Sequence, residues 1–337
     1  MAGKTLERIL IIQTAFLGDV ILATGLVEKV HQHYPETEID FLVRKGYESL
    51  FEDHPKIHRL IVFDKSQRKF FNLIGVIREV RSRKYNMIIN VQRYFTSGII
   101  TAVSGSIISI GFDKNPLSYF FTHKIKHEYK GDHEIERNHQ LVAWFTDNQS
   151  GYPKLYPGKK NIENVTRYRK NSYVCIAPAS IWFTKQFPLD KWIEIIQLIP
   201  AGISIYLIGG PDDHPICEEI KTKADPRKIL NLCGKLDLLD TAALMSGSTM
   251  NFVNDSAPMH LASAMNAPVC VIYCSTLPSF GYGPLSRNSR ILEVEGDLYC
   301  RPCGIHGRKK CPEGHFRCAF DIREEQVSNM MEHIFTE

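Results

Sequence analysis

Asp19 is the first residue whose setting suggests chemistry. It lies in "QTAFLGDVILATG", residues 13–25, after the apolar run 9–12 and before apolar residues at helical spacing, Ile21, Leu22, Leu26 and Val30. That pattern is a strand, a tight turn and a helix. The free N–H groups and dipole at a helix start favour anions, which makes such a turn the usual phosphate cradle. This turn carries one glycine, Gly18, and then an acid. A carboxylate would repel a phosphate from the same spot. Asp19 is therefore either a helix cap or a group aimed at something else.

A second strand–turn–helix occurs in "FVNDSAPMHLASAMNAPVCVIY", 252–273, with different turn chemistry. Pro258 suits a first helical turn. The N–H groups of Ser256 and Ala257, with the Ser256 hydroxyl, could hold a diphosphate at the helix start. Asp255 could accept two sugar hydroxyls, as an ionised carboxylate does well. The plainer alternative is an N-cap. His260 could contact phosphate, orient Asp255, or serve only the packing.

"PASIWFTKQFPLDKW", 178–192, also follows a strand and offers Ser180, Thr184 and Lys185. A lysine among hydroxyls after a parallel strand suits a phosphate, and a solvated loop lysine is the alternative. In "LIGGPDDHP", 207–215, Gly209 and Gly210 fit either a close backbone approach to a nucleotide or a tight turn. Near the C-terminus stand Cys300, Cys303, Cys311 and Cys318. The first two have metal-ligand spacing, and four thiolates could close a tetrahedral structural zinc site, with His306 and His315 as substitute ligands. Free thiols or a redox-labile pair are the alternative.

These groups need elements to hold them. Strands are expected at 8–13, 39–43, 60–63, 87–91 and 107–112, with helices at 18–33, 70–84 and about 131–147. A polar stretch rich in Gly, Pro and Lys follows, "NQSGYPKLYPGKKNIENVTRYRKN", and reads as an interdomain connection. A second set then has strands at 173–177, 204–208, 229–232, 250–253 and 269–273, and helices at 190–199, 213–224, 237–246 and 256–266. Alternation of this kind gives parallel sheets covered on both faces. The fold class is α/β, with two Rossmann-like doubly wound domains, 1–160 and 161–337, facing across a cleft. Ligands bind beyond the carboxyl ends of such strands. Arg93, just past one of them, is a candidate for an acceptor phosphate or carboxylate.

Composition bounds the rest. The chain has 337 residues and a net charge of only +4, too weak to argue for nucleic acid. It contains no apolar run of membrane-spanning length, and "MAGKTLER" lacks the core of a signal peptide, so a cytoplasmic location is expected. Cys175, Cys217, Cys233, Cys270 and Cys274 lie in or beside apolar runs and read as buried thiols. In "QRKFFNLIGVIREVRSRKY", 67–85, Phe70, Leu73, Ile74, Ile77 and Val80 form an apolar stripe beside Lys69, Arg78, Arg81, Arg83 and Lys84. An ordinary crossover helix with a basic face explains it, and attraction to an anionic leaflet is the functional alternative.

Taken together, "LGDVILATGLVEKV", "RSRKYNMIINVQ", "APASIWFTKQFPLDKW", "CGKLDLLDTAALMSGSTMNFVNDSAPMHLASAMNAPVCVIYCST" and the cysteine-rich tail resemble the ADP-heptose:lipopolysaccharide heptosyltransferase family, glycosyltransferase family nine. The resemblance covers about residues 8–322. It implies the GT-B architecture and single-displacement inversion at the anomeric carbon without a bound metal. Its donor would be an ADP-sugar held by the C-terminal domain, and its acceptor a lipopolysaccharide core or glycolipid held by the N-terminal one. Contact with the inner membrane would be peripheral. Asp19 would then be the general base, with Gly18 and Arg93 on the acceptor side. Lys185 would carry the charge of the departing diphosphate, helped by Ser180, Thr184, Ser256 and the helix start at Ala257, while Gly209 and Gly210 would approach the nucleotide, Asp255 would hold the sugar hydroxyls, and His260 would contact phosphate or orient Asp255. No cofactor is required for catalysis, and the four cysteines could hold a structural zinc. The family motif usually has Gly where this chain has Ala257, which adds a methyl near the expected diphosphate. The rival readings are a GT-B transferase or epimerase using another nucleotide sugar, and a non-catalytic nucleotide-sugar-binding protein.

Overall fold

The computed structural model describes residues 6–224 and 229–336. The chain divides into two compact units, Met1–Tyr156 and Pro157–Glu337. Among the described residues, the first contains strands β1 (Arg8–Ile12), β2 (Glu38–Arg44), β3 (Arg59–Phe63), β4 (Met87–Asn90), β5 (Ile108–Phe112) and β6 (His123–Ile125). Its helices are α1 (Leu17–His33), α2 (Lys69–Ser82), α3 (Phe95–Ala102) and α4 (Glu134–His139). The second contains β7 (Tyr173–Ala177), β8 (Ser204–Leu207), β9 (Ile229–Asn231), β10 (Met250–Asn254), β11 (Val269–Tyr273) and β12 (Ser289–Glu293). Around them run α5 (Lys159–Thr166), α6 (Leu189–Leu198), α7 (His214–Lys223), α8 (Leu238–Ser246), α9 (Ala257–Ala264), α10 (Arg317–Phe320) and α11 (Glu324–Thr336).

Both sheets are parallel, ordered β3-β2-β1-β4-β5-β6 and β12-β11-β10-β7-β8-β9. Their central strands are continuous apolar runs such as "YVCIA", buried at every position, as a sheet covered on both faces requires. In each sheet the strand order reverses once near the middle, between β1 and β4 and between β7 and β10. A crevice opens beyond the carboxyl ends at such a reversal, because the flanking connections leave to opposite faces. The topology therefore singles out the segments after β1 and β4 in one unit, and after β7 and β10 in the other.

Several differences from the sequence expectations have local causes. Strand β6 is three residues long and lies at a sheet edge, mostly exposed, so it has no alternation to read. The polar connection contains α5, which meets α8 through amides: Asn161 and Asn164 both donate to Asp240. A helix packed through polar groups carries no apolar stripe. Helix α2 turns Val76 and Val80 inward, with Leu73 and Ile77 packed beside them, whereas Phe70 is 69% exposed and stands outside the expected stripe. The helix expected at 131–147 is α4 alone, followed by turns. The five scattered cysteines are buried free thiols.

Helix α1 is pressed against the segment near 151. A methyl group on Gly25 would lie 2.4 Å from the Gly151 carbonyl oxygen, and one on Gly151 would lie 2.0 Å from that of Gly25. Two backbones meet there without side chains between them, which fixes how deeply α1 sits. In the second unit the core includes Phe316, Cys318, Ile322, Val327 and Met331, so the C-terminal segment is part of that unit's interior.

Candidate functional site

In the first unit, Asp19 occupies the first turn of α1, directly beyond β1, with Gly18 beside it. Phe16 is the N-cap residue and offers no side-chain cap. The backbone N–H groups of Phe16 and Asp19 itself favour the Asp19 carboxylate. Burial and the neighbouring Glu134 outweigh them and push the Asp19 pKa up to about 6, against a smaller opposing pull from Arg93. Such a group is ionised at neutral pH yet more basic than an ordinary aspartate, as a proton acceptor needs to be.

Glu134 was not singled out from the sequence. It opens α4 and takes two bonds on Oε2 from the buried Arg137, from Nε at 2.9 Å and Nη2 at 2.7 Å. Arg137, Lys114 and Arg93 all lie over the Tyr129 ring, at 4.9, 5.4 and 5.9 Å from its centre. Burial, then these same three cations, push the His127 pKa down to about 4 and keep that ring neutral. Across the reversal, Thr14 donates to Gln92 at 2.5 Å, joining the ends of β1 and β4. Lys65, beyond β3, donates to the Thr14 carbonyl and hydroxyl at 2.7 and 2.8 Å. Burial and then the nearby Arg44 and Lys69 lower its pKa to about 8. This end of the sheet gathers Lys65, Lys114, Arg93 and the Arg137–Glu134 pair, and Arg93 and Glu134 both act on Asp19. The sequence offered only Arg93 of these cations, because the others lie on separate connections that the topology gathers.

In the second unit, the loop after β7 and the turn after β10 meet. Lys185 Nζ lies 2.6 Å from Asp255 Oδ2, with their side chains 13% and 8% exposed. The Thr276 hydroxyl, beyond β11, donates to the same oxygen at 2.6 Å. Asn254, buried at the end of β10, accepts from Phe187 N at 3.0 Å and donates to the Pro178 carbonyl at 2.7 Å. One side chain thereby holds both ends of the loop that carries Ser180 and Lys185. Nothing in the sequence distinguishes this asparagine from a polar strand end.

Ser256 is the N-cap of α9 and makes no side-chain cap bond; its hydroxyl leans 3.4 Å towards the Asn254 carbonyl. Ala257 begins the helix and His260 is buried within it. Two expected contributions need correction. Thr184 is 1% exposed, and its hydroxyl oxygen already accepts from Ser275 Oγ and Arg308 N, so it holds protein rather than presenting itself to a donor. Gly209 and Gly210 serve a local cap: a methyl on Gly209 would lie 2.6 Å from Asp213 Oδ2, which also accepts from Gly210 N at 2.8 Å. Cys300, Cys303, Cys311 and Cys318 line one recess with Thr184 and His315. Among the described residues, however, no group of three His, Cys, Asp or Glu side chains is arranged to hold a metal ion. The soft donors expected of a zinc site are gathered around that recess.

Two doubly wound parallel sheets, with a basic carboxylate at one reversal and a lysine–aspartate pair at the other, give the protein an α/β fold of the GT-B kind. A sequence model described as "Glycosyltransferase family 9 (heptosyltransferase)" matches residues 74–315. The chain belongs to that family and is a glycosyltransferase. Lipopolysaccharide heptosyltransferase 3 of Escherichia coli K12 is 25% identical over 281 residues, covering 77% of this chain and 80% of that one. The crystal structure of the glycosyl transferase family 9 protein of Veillonella parvula superposes with a TM-score of 0.86 at 22% identity, covering 98% of each chain. E. coli ADP-heptose lps heptosyltransferase II superposes at 0.80 with 19% identity, covering 97% of this chain and 98% of that one.

Proposed function

We propose that the protein is an inverting heptosyltransferase that moves heptose from ADP-heptose to a lipopolysaccharide core or related glycolipid. The observation that carries the reading is Asp19, a carboxylate of raised basicity beyond β1 in a family 9 chain. In this reading an acceptor hydroxyl attacks the anomeric carbon, and the bond from that carbon to the ADP oxygen breaks. The hydroxyl proton goes to Asp19. A carboxylate is sufficient, because bond formation acidifies the hydroxyl as transfer proceeds. Gly18 and Arg93 lie on the acceptor side, with Lys65 and Lys114 as further cations for an anionic acceptor.

The diphosphate acquires charge as it leaves. Lys185, with the α9 N-terminus at Ser256 and Ala257, is assigned to that charge, and preorganised donors of this kind typically supply about 3–4 kcal/mol each. Asp255 is assigned to sugar hydroxyls, with Ser180 and His260 nearby in sequence to the two turns. The reading requires no metal cofactor for transfer. Zinc at the four cysteines would be structural, and metal analysis of protein purified without chelator tests it.

We extend the reading to location. Among the described residues no helix is long and apolar enough to cross a membrane. Phe70 and Phe71, 69% and 71% exposed beside Arg68 and Lys69, suit shallow contact with an anionic leaflet from the cytoplasmic side. Turnover against a panel of nucleotide sugars, with the product anomer assigned by NMR, tests the function. Reaction with ADP-heptose and inversion are expected; reaction only with another donor overturns the heptose assignment.

A further inference from the structure

The cysteine-bearing segment is bonded to residues that flank or hold the Lys185–Asp255 pair. Thr184 and Arg308 bond in both directions: Thr184 N donates to the Arg308 carbonyl at 3.1 Å, and Arg308 N donates to the Thr184 hydroxyl at 2.8 Å. Ser275 Oγ donates to the same hydroxyl at 2.9 Å, and the Ser275 carbonyl accepts from Cys303 N at 2.9 Å. Arg301 donates to the Thr276 carbonyl at 2.8 Å, while the Thr276 hydroxyl grips Asp255. Gly307 lies against the lysine itself. It has φ +76°, and a methyl there would lie 3.1 Å from both Lys185 Cγ and Thr184 Oγ1.

We propose that residues 301–308 form a brace that sets the position of Lys185, with Thr184 as the positioning residue and Gly307 as its close-packed stop. Three features support this. The Thr184 hydroxyl is buried and accepts from groups of two other segments, so its bonds locate the residue immediately before Lys185. Gly307 packs beside the lysine stem with only the space a glycine allows, since a methyl there would press on Lys185 Cγ. The recess on the other side of Thr184 is walled by the four thiols, which makes the brace continuous with the cysteine cluster. The chemistry being positioned is recognition of a diphosphate by one ammonium. That rests on the assignment of Lys185 to the donor.

The test reads charge recognition rather than folding. Calorimetry compares the affinity of ADP with that of adenosine for wild type, Lys185→Ala, Thr184→Val, Thr184→Ser and Gly307→Ala, and steady-state kinetics follow each. Thr184→Val and Gly307→Ala should each lower the ADP-to-adenosine affinity ratio and kcat by about tenfold, as small misplacements of a reacting group do. Adenosine affinity and acceptor KM should hold, and Thr184→Ser should restore the ratio. A general loss of structure would lower adenosine binding equally. If Lys185→Ala loses the ratio while Thr184→Val and Gly307→Ala keep it, the brace is wrong and the donor assignment stands. If Lys185→Ala keeps the ratio, the donor assignment itself fails.

Discussion

Arg137 fixes the Glu134 carboxylate with two bonds to one oxygen, and Glu134 in turn raises the basicity of Asp19. The proposed proton acceptor is thus tuned by a group on a different helix. Since Asp19 titrates near 6, kcat/KM should be flat above neutrality and fall as pH drops below about 6. Glu134→Gln removes a like charge and should shift that acid limb to lower pH. An unmoved limb in a pH–rate profile would separate Glu134 from the base.

Asp19→Asn should lower turnover by about 10²–10⁴-fold while leaving ADP binding intact, which calorimetry on the same preparation can show. The substitution should also stabilise the protein. A carboxyl whose pKa rises from 3.8 to about 6 on folding binds its proton more tightly when folded. Stability therefore falls as pH rises through that interval, and the penalty is fully present at pH 7. Removing it should raise the melting temperature at pH 7, with a gain on the order of 1 kcal/mol after allowance for the partial exposure of Asp19. Below pH 4 the gain should vanish.

Asp255→Asn leaves Lys185 in a nearly buried place without its counter-charge. Breaking such a pair from one side costs roughly 3–5 kcal/mol. Urea denaturation of the variant should show that loss, and saturating ADP should recover part of it.

Gly25→Ala places a methyl where the Gly151 carbonyl oxygen already stands. Overpacking of this kind costs about 1–3 kcal/mol. A lowered thermal midpoint is expected, together with a shift in kinetics, because α1 begins at the base.

Phe70 and Phe71 are exposed, so replacing both with Ser should leave the midpoint within about 0.5 kcal/mol. Co-sedimentation with vesicles containing anionic lipid should drop. Equal binding by the double variant would remove α2 from the membrane contact.

The alternation of apolar runs and helical spacing made both sheets legible, and the turns after β1, β7 and β10 could be read as sites because acids and a lysine stood where caps and cradles usually stand. Edge strands were harder. β12 carries few buried positions, and its short burial pattern resembles a loop. Asn254 and Arg137 were invisible for another reason. Each matters through partners far away in sequence, and neither residue type announces a bridging role. Thr184 was misread by the same logic: a hydroxyl beside a lysine looks like a ligand for phosphate until the segment near 308 is seen to occupy it.

The contact between Lys185 and Asp255 also bears on what the resting enzyme ignores. An ammonium already satisfied by a carboxylate offers little to a stray inorganic phosphate, which brings charge but nothing to occupy the aspartate it displaces. A sugar diphosphate brings both an anion for one partner and hydroxyls for the other. Under the proposed donor assignment the internal pairing would act as a filter, opened by a visitor that can compensate both sides at once.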